Sequence, residues 1–85
     1  MIWHDKNVAR VFEFLDKHDI SSYIERYKGR DICELMEILE TEIPYKDEVS
    51  VCLFDYASED EFIIYLREKY NIHVREEVTI RHYIL

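Results

Sequence analysis

Apolar positions recur at two different spacings along this chain, and the change of spacing divides it. Between residues 6 and 18, Val8, Val11, Phe12 and Leu15 repeat at helical intervals while Lys6, Arg10, Glu13 and Lys17 fall on other faces. That spacing predicts a helix. Asp5 is placed to cap its start, and Lys17 and His18 fall in the last turn, where the helix dipole favours positive charge. Trp3 and Phe14 are expected to cover the ends or the rim of this helix. A short second helix is predicted over 22–28. Ser22 and Glu25 have capping-box spacing, Tyr23, Ile24 and Tyr27 supply an apolar side, and Gly29 suits the left-handed residue after the last turn.

A third helix, about 32–41, is predicted to follow Asp31 as its cap. Ile32, Leu35, Met36 and Leu39 cluster within about 100° of arc on its wheel. Asp31, Glu34, Glu37 and Glu40 step backwards by about 60° each and take the opposite side. Pro44 ends any continuation, and "TEIPYKDE" reads as a loop.

The spacing then changes to alternation. In "VSVCLFDY", residues 49–56, Val49, Val51 and Leu53 alternate with Ser50, Cys52, Phe54 and Tyr56. Both sets are mostly apolar, which predicts a central strand covered on both faces. Ser58 and Glu61 repeat the capping-box spacing and open a helix at about 59–70. Its expected core side is Phe62, Ile63, Leu66 and Tyr70, and Asn71 is its expected C-cap.

The tail "IHVREEVTIRHYIL" is expected to be extended, with Val78, Ile80, His82 and Ile84 on one face and Thr79, Arg81, Tyr83 and Leu85 on the other. It reads either as one bent or bulged strand or as two strands turning at Glu76-Glu77, although Glu-Glu is poor chemistry for a two-residue turn. The order is therefore α-α-α-β-α-β, with the last strand possible as a pair. This predicts an α+β fold: a two-to-three-stranded sheet packed against about four helices. A strand, a helix and a second strand joined by short loops predict a right-handed crossover, parallel if both strands share one sheet.

Length and composition place this pattern in one domain, residues 1–85. A chain that is 48% hydrophobic, with one Gly and one Pro, is not a disordered segment, and it lacks the glycines of a phosphate-binding loop. No apolar run approaches the roughly 20 residues that cross a bilayer. The stretch "MIWHDKNVAR" has no uninterrupted apolar segment and no small-residue cleavage site, so a signal peptide is not expected. Two cysteines, Cys33 and Cys52, are too few for a disulfide framework and suit reduced thiols of an intracellular protein. The expected location is cytoplasmic, or the host cytoplasm for a viral protein.

Charge changes the picture more than composition does. The net charge is −8, and its distribution is uneven. Residues 1–30 hold five acids and six bases, and residues 62–85 hold three acids and four bases. Residues 31–61 hold eleven acids and one base, Lys46, so the whole excess lies in that block. An evenly solubilising surface interleaves the signs, so this block reads either as a solvated acidic face or as an interface for a basic partner. Segregation of this kind sets up a one-signed potential that attracts cations and repels nucleic-acid phosphates.

Catalytic and metal-binding chemistry finds little support by comparison. His4, His18, His73 and His82 are scattered, and Cys33 and Cys52 are 19 positions apart, without metal-ligand spacing. His73 and His82 are placed to face one another across a tail hairpin, but as a lone pair. Acids are so abundant that no pair stands out as a general acid and base. Cys52 could meet His73 or His82 across strands, yet a cysteine in the middle of an apolar strand reads as an inert core thiol. The expectation is no catalytic residue, no metal and no cofactor. Direct nucleic-acid binding is disfavoured by the charge and by the thin scatter of bases.

The expected functional surface is a protein-binding one made of Asp31, Glu34, Glu37, Glu40, Glu42, Asp47, Glu48, Asp55, Glu59 and Asp60, with Tyr45 and Tyr56 as aromatic anchors. Carboxylates meet cations and tyrosine faces stack on guanidinium groups, so the expected partner is a basic protein that acts on nucleic acid. Anti-CRISPR and anti-restriction inhibitors, nuclease immunity proteins and antitoxins share this physical type. The other reading is a structural or homo-oligomerisation module that pairs through the C-terminal strand "VTIRHYIL". The chain itself is expected to be a monomer or a homodimer.

Overall fold

Asp5 starts the first helix as its position implies. In the computed structural model, which describes residues 5–43, 53–77 and 82–85, its carboxylate accepts from the N–H groups of Asn7 at 2.8 Å and Val8 at 3.4 Å. Helix α1 runs Lys6–His18 and buries Val8, Val11, Phe12 and Leu15. It ends on Asp19, a left-handed residue with φ 50°. The Asp19 carboxylate then accepts from the hydroxyl of Ser21 at 2.6 Å and from its N–H at 3.3 Å. Those bonds hold the Asp19 carboxyl below its usual titration range.

Helix α2 departs from expectation at both ends. It runs Ser21–Arg26 rather than 22–28, and no side chain caps its N-terminus, so the Ser22–Glu25 box does not form. The reason lies upstream: Asp19 already holds Ser21, and the chain turns into α2 one residue early. Downstream the helix stops at Arg26 because Gly29 and Arg30 are needed elsewhere. Gly29, at φ 84°, donates its N–H to the Leu85 carbonyl at 2.9 Å, and the Leu85 N–H donates to the Arg30 carbonyl at 3.0 Å. An L side chain at that φ is strained, which fits the single glycine of the chain to this turn.

Helix α3 runs Ile32–Glu42, capped by the Asp31 carboxylate, which accepts from the Cys33 N–H at 2.8 Å. It buries Ile32, Leu35 and Leu39, with Met36 half-buried. Trp3, the loop expected around Pro44, residues 49–52 of the expected central strand, and Tyr45, Asp47 and Glu48 lie outside the described residues. The part of that strand that is described is not extended: Leu53–Asp55 form a 3₁₀ turn. Phe54 packs edge-on against Phe62 with centroids 5.0 Å apart, and Ala57, three residues on, is buried in the same core. Spacing of three toward one side belongs to a tight helical turn, not to a strand.

Helix α4, Glu59–Tyr70, carries the expected capping box. Ser58 Oγ accepts from the Glu61 N–H at 3.2 Å, and Glu61 returns a carboxylate oxygen to the Ser58 N–H at 2.8 Å. Asn71, at φ 54°, ends it, with the Asn71 N–H donating to Arg67 and the Ile72 N–H to Leu66. The buried side is Phe62, Tyr65 and Leu66, while Ile63 and Tyr70 are only half-buried. Tyr65, not expected there, stacks on Phe12 at 4.5 Å and 10°, and its hydroxyl donates to Asp16 at 2.6 Å.

The tail forms a hairpin of β1, Arg75–Glu77, and β2, His82–Ile84, paired antiparallel. Glu76 and Glu77 are therefore strand residues and not its turn. His82 pairs with Glu77, so His73, ahead of β1, does not face it. The far side of β2 is occupied as well, by a bridge between Ile84 and Asp31 and by the Leu85 bonds to Gly29 and Arg30. The last residues thread between β1 and the start of α3. Among the described residues, four α-helices and a two-stranded antiparallel sheet make this an α+β fold, with the strand number at the low end of expectation. The core joins α1, α3 and α4, with Ile20, Ile24 and Ile43 closing its ends.

Candidate protein-binding surface

The acid stripe of α3 follows from its packing. With Ile32, Leu35 and Leu39 buried, the helix must turn positions 34, 37 and 41 outward. Glu34, Glu37, Thr41 and Glu42 are exposed. Asp31 and Glu40 are half-buried, because a drift of about 60° per three residues carries a four-residue stripe from one flank of the helix to the other. Three ion pairs occur among the described residues: Lys28–Glu25 at 3.9 Å, Lys69–Asp16 at 3.8 Å and Arg75–Glu77 at 3.0 Å. Glu34, Glu37, Glu40, Glu42 and Asp60 belong to none of them.

A second group of acids gathers where the N-termini of α3 and α4 meet the hairpin. The Cys33 thiol donates to a Glu59 carboxylate oxygen at 3.0 Å. That bond, then partial burial, then the charges of Glu59 and Asp31 push the thiol up to about 12 from its ordinary 9.0. Tyr83, across from Glu76 in the hairpin, is also raised, first by Glu76, then by burial, then by Asp60 and Glu59. Asp31, Glu59, Asp60 and Glu76 thus share one corner. Capping explains part of this, since Asp31 caps α3 while Glu59 and Asp60 sit in the first turn of α4, where the dipole favours acids.

The thiol reports the field of this corner. Glu59→Gln in a Cys52→Ala background is expected to lower the Cys33 pKa and speed its alkylation at pH 8. The gain is about 3-fold per pKa unit, because the tenfold rise in thiolate is partly offset by weaker nucleophilicity. Rates measured with a maleimide or iodoacetamide check this. An unchanged rate would mean that Glu59 does not hold the thiol.

Of the residues expected to bind a partner, Asp31, Glu59 and Asp60 come together at the corner, and Glu34 and Glu37 stand on the outer face of α3. Glu40 and Glu42 lie farther along α3. Asp55 is exposed on the 3₁₀ turn, and Tyr56 is half-buried against the core. Sequence reasoning missed Glu76, which lies outside the acidic block and reaches the corner only through hairpin pairing. It also missed Tyr27, whose ring carries the Arg30 guanidinium carbon 5.6 Å from its centroid beside the acid stripe.

Concave regions among the described residues include two beside α2. One, about 270 Å³, is lined by Ile24, Tyr70, Ile72 and Leu85 with Ser21, Glu25 and Lys28 at its rim. The other, about 290 Å³, is an open groove between the end of α2 and the outer face of α3. Neither is lined by Asp19, Cys33, Tyr65 or Tyr83, the groups whose titration the fold displaces. Among the described residues no cluster of three or more His, Cys, Asp or Glu is arranged to hold a metal ion, and no helix is long and apolar enough to cross a membrane. Comparison with protein-family models, with curated proteins and with solved structures found no match.

Proposed function

We propose that this chain is a non-enzymatic inhibitor or neutraliser, acting in the cytoplasm, that binds the basic, nucleic-acid-facing surface of another protein. The observation that supports this reading is exposed acid outside every ion pair among the described residues: Glu34 and Glu37 on the outer face of α3, Glu42 at its end and Asp60 at the corner beside it. Unrelieved like charge on one side costs stability for no packing gain, whereas a cationic partner turns the same repulsion into attraction. The mechanism is steering of the acid face to a positive groove, followed by exclusion of the phosphate backbone from that groove. It requires no cofactor and no chemical step. Anti-CRISPR and anti-restriction inhibitors, nuclease immunity proteins and antitoxins are the functional types that use it.

The oligomerisation reading draws less from the fold. Of the tail strand it relies on, the described part, His82–Ile84, pairs with β1 on one side, and Ile84 and Leu85 are bonded to Asp31, Gly29 and Arg30 on the other.

Capture from lysate on the immobilised protein, followed by a nucleic-acid binding assay on what is captured, tests the proposal. The expected result is a basic protein released between about 0.1 M and about 1 M salt, where the screening length falls from ~10 Å to ~3 Å. That protein is expected to lose its nucleic acid when this chain is added. A captured partner that holds its nucleic acid undisturbed would overturn the proposal.

A further inference from the structure

The open groove beside α3 sets an aromatic ring beside two carboxylates. It is lined by Tyr27, Arg30, Glu34, Glu37, Ile38 and Thr41. Thr41 spends its hydroxyl on the Glu37 carbonyl at 2.9 Å, so it offers no donor to a visitor. Glu34 and Glu37 lie one turn apart on the same helical face, about 5–6 Å between Cβ atoms, and both are exposed. Across from them the half-buried Tyr27 ring already carries a guanidinium, that of Arg30. Arg30 is exposed and joins none of the ion pairs among the described residues, and its guanidinium rests against the ring.

We propose that this groove is an arginine-reading subsite. A guanidinium of the basic partner takes the Tyr27 ring from Arg30, and its N–H groups reach Glu34 and Glu37. Charge complementarity selects a cation, and the ring with two spaced carboxylates selects a planar, forked one, which arginine supplies and lysine does not. Arg30 is then an internal occupant that a partner displaces. Its backbone carbonyl stays bonded to Leu85, so the side chain can swing away without loosening the tail. This inference rests on the basic-partner reading and adds which residue of the partner is recognised and where.

Octa-arginine and octa-lysine, equal in charge, are the probes, with dissociation constants measured at low salt. The expected result is about 3-fold or greater preference for octa-arginine that Tyr27→Leu brings toward parity and Arg30→Gln increases. Amide and ring shifts of the wild-type protein on adding octa-arginine are expected to centre on Tyr27, Glu34, Glu37 and Thr41, which gives a readout that does not depend on any variant folding. If both peptides bind but the preference ignores Tyr27, or the shifts centre elsewhere, the basic-partner reading stands and the arginine subsite is overturned. If neither peptide binds, both fall together.

Discussion

Tyr65→Ala is expected to cost about 3–5 kcal/mol, the range for deleting a buried aromatic ring. The ring is 4% exposed, stacks on Phe12 and lies 6.2 Å from Phe62, so its removal opens a cavity between α1 and α4. For a chain of this length the whole folding free energy is roughly 4–13 kcal/mol, which makes that loss severe. Tyr65→Phe keeps the ring and removes the hydroxyl with its hydrogen bond to Asp16, whose exposed carboxylate stays near Lys69. Its cost is about 1 kcal/mol, or about 4–8 °C in melting temperature. Thermal and urea unfolding of the two variants check the ordering.

The same residue fixes an alkaline limit. Burial, then the bond to Asp16, raises the Tyr65 hydroxyl well above its ordinary 10.0. The folded protein therefore holds this proton where the unfolded chain gives it up. The stabilisation is complete below about pH 10 and is lost as pH rises beyond it, by up to about 1.4 kcal/mol per pH unit. Tyr65→Phe is expected to flatten this decline relative to the wild type. Parallel curves above pH 10 would show that Tyr65 ionises in the folded and unfolded states alike.

The second large effect concerns binding. Combined Glu34→Lys, Glu37→Lys and Asp60→Lys changes move the net charge from −8 to −2, two units per residue. All three residues are exposed, so the fold is expected to persist. Glu34 and Asp60 sit in the first turns of α3 and α4, where the dipole favours acids, and reversing each is expected to cost about 1 kcal/mol. Partner affinity is expected to fall about 100-fold or more, since facing like charges at an interface cost several kcal/mol and about 1.4 kcal/mol is tenfold. A variant that folds normally and binds as before would remove the acid face from recognition.

Helix boundaries set by a local side-chain bond were legible in the sequence. Asp5, Asp31 and the Ser58–Glu61 box each satisfy N–H groups two or three residues away, so spacing alone locates them. Boundaries set at a distance were not. Helix α2 ends where it does because Gly29 and Arg30 bond to Leu85, some 55 positions later in the chain. Periodicity also misjudged "LFDY", where alternating apolar residues fit a strand, yet Phe54 reaches the core from a 3₁₀ turn and Ala57 enters it just beyond. On α4, apolarity drew Ile63 and Tyr70 into the core and left Tyr65 out. The amphipathic Tyr65 proved the better bridge, with its ring in the core and its hydroxyl at the rim.

The acidic surface was legible in part, for a similar reason. Counting consecutive residues found the stripe on α3, which one helix presents by itself. The corner needed tertiary contacts: Cys33 meets Glu59 because the start of α3 packs beside the start of α4, and Tyr83 stands beside Glu76 through hairpin pairing. Tyr27 was hidden because its value lies in what stands across from it, not in its own helix.

The most direct measurement is the dissociation constant of the captured partner at about 0.1 M and about 1 M salt, for the wild type and the triple lysine variant. An acidic binding face requires wild-type affinity to fall steeply with salt, as the screening length shrinks from ~10 Å to ~3 Å, and the variant to be weak with a flatter dependence. Equal wild-type affinity at both salt concentrations would contradict it.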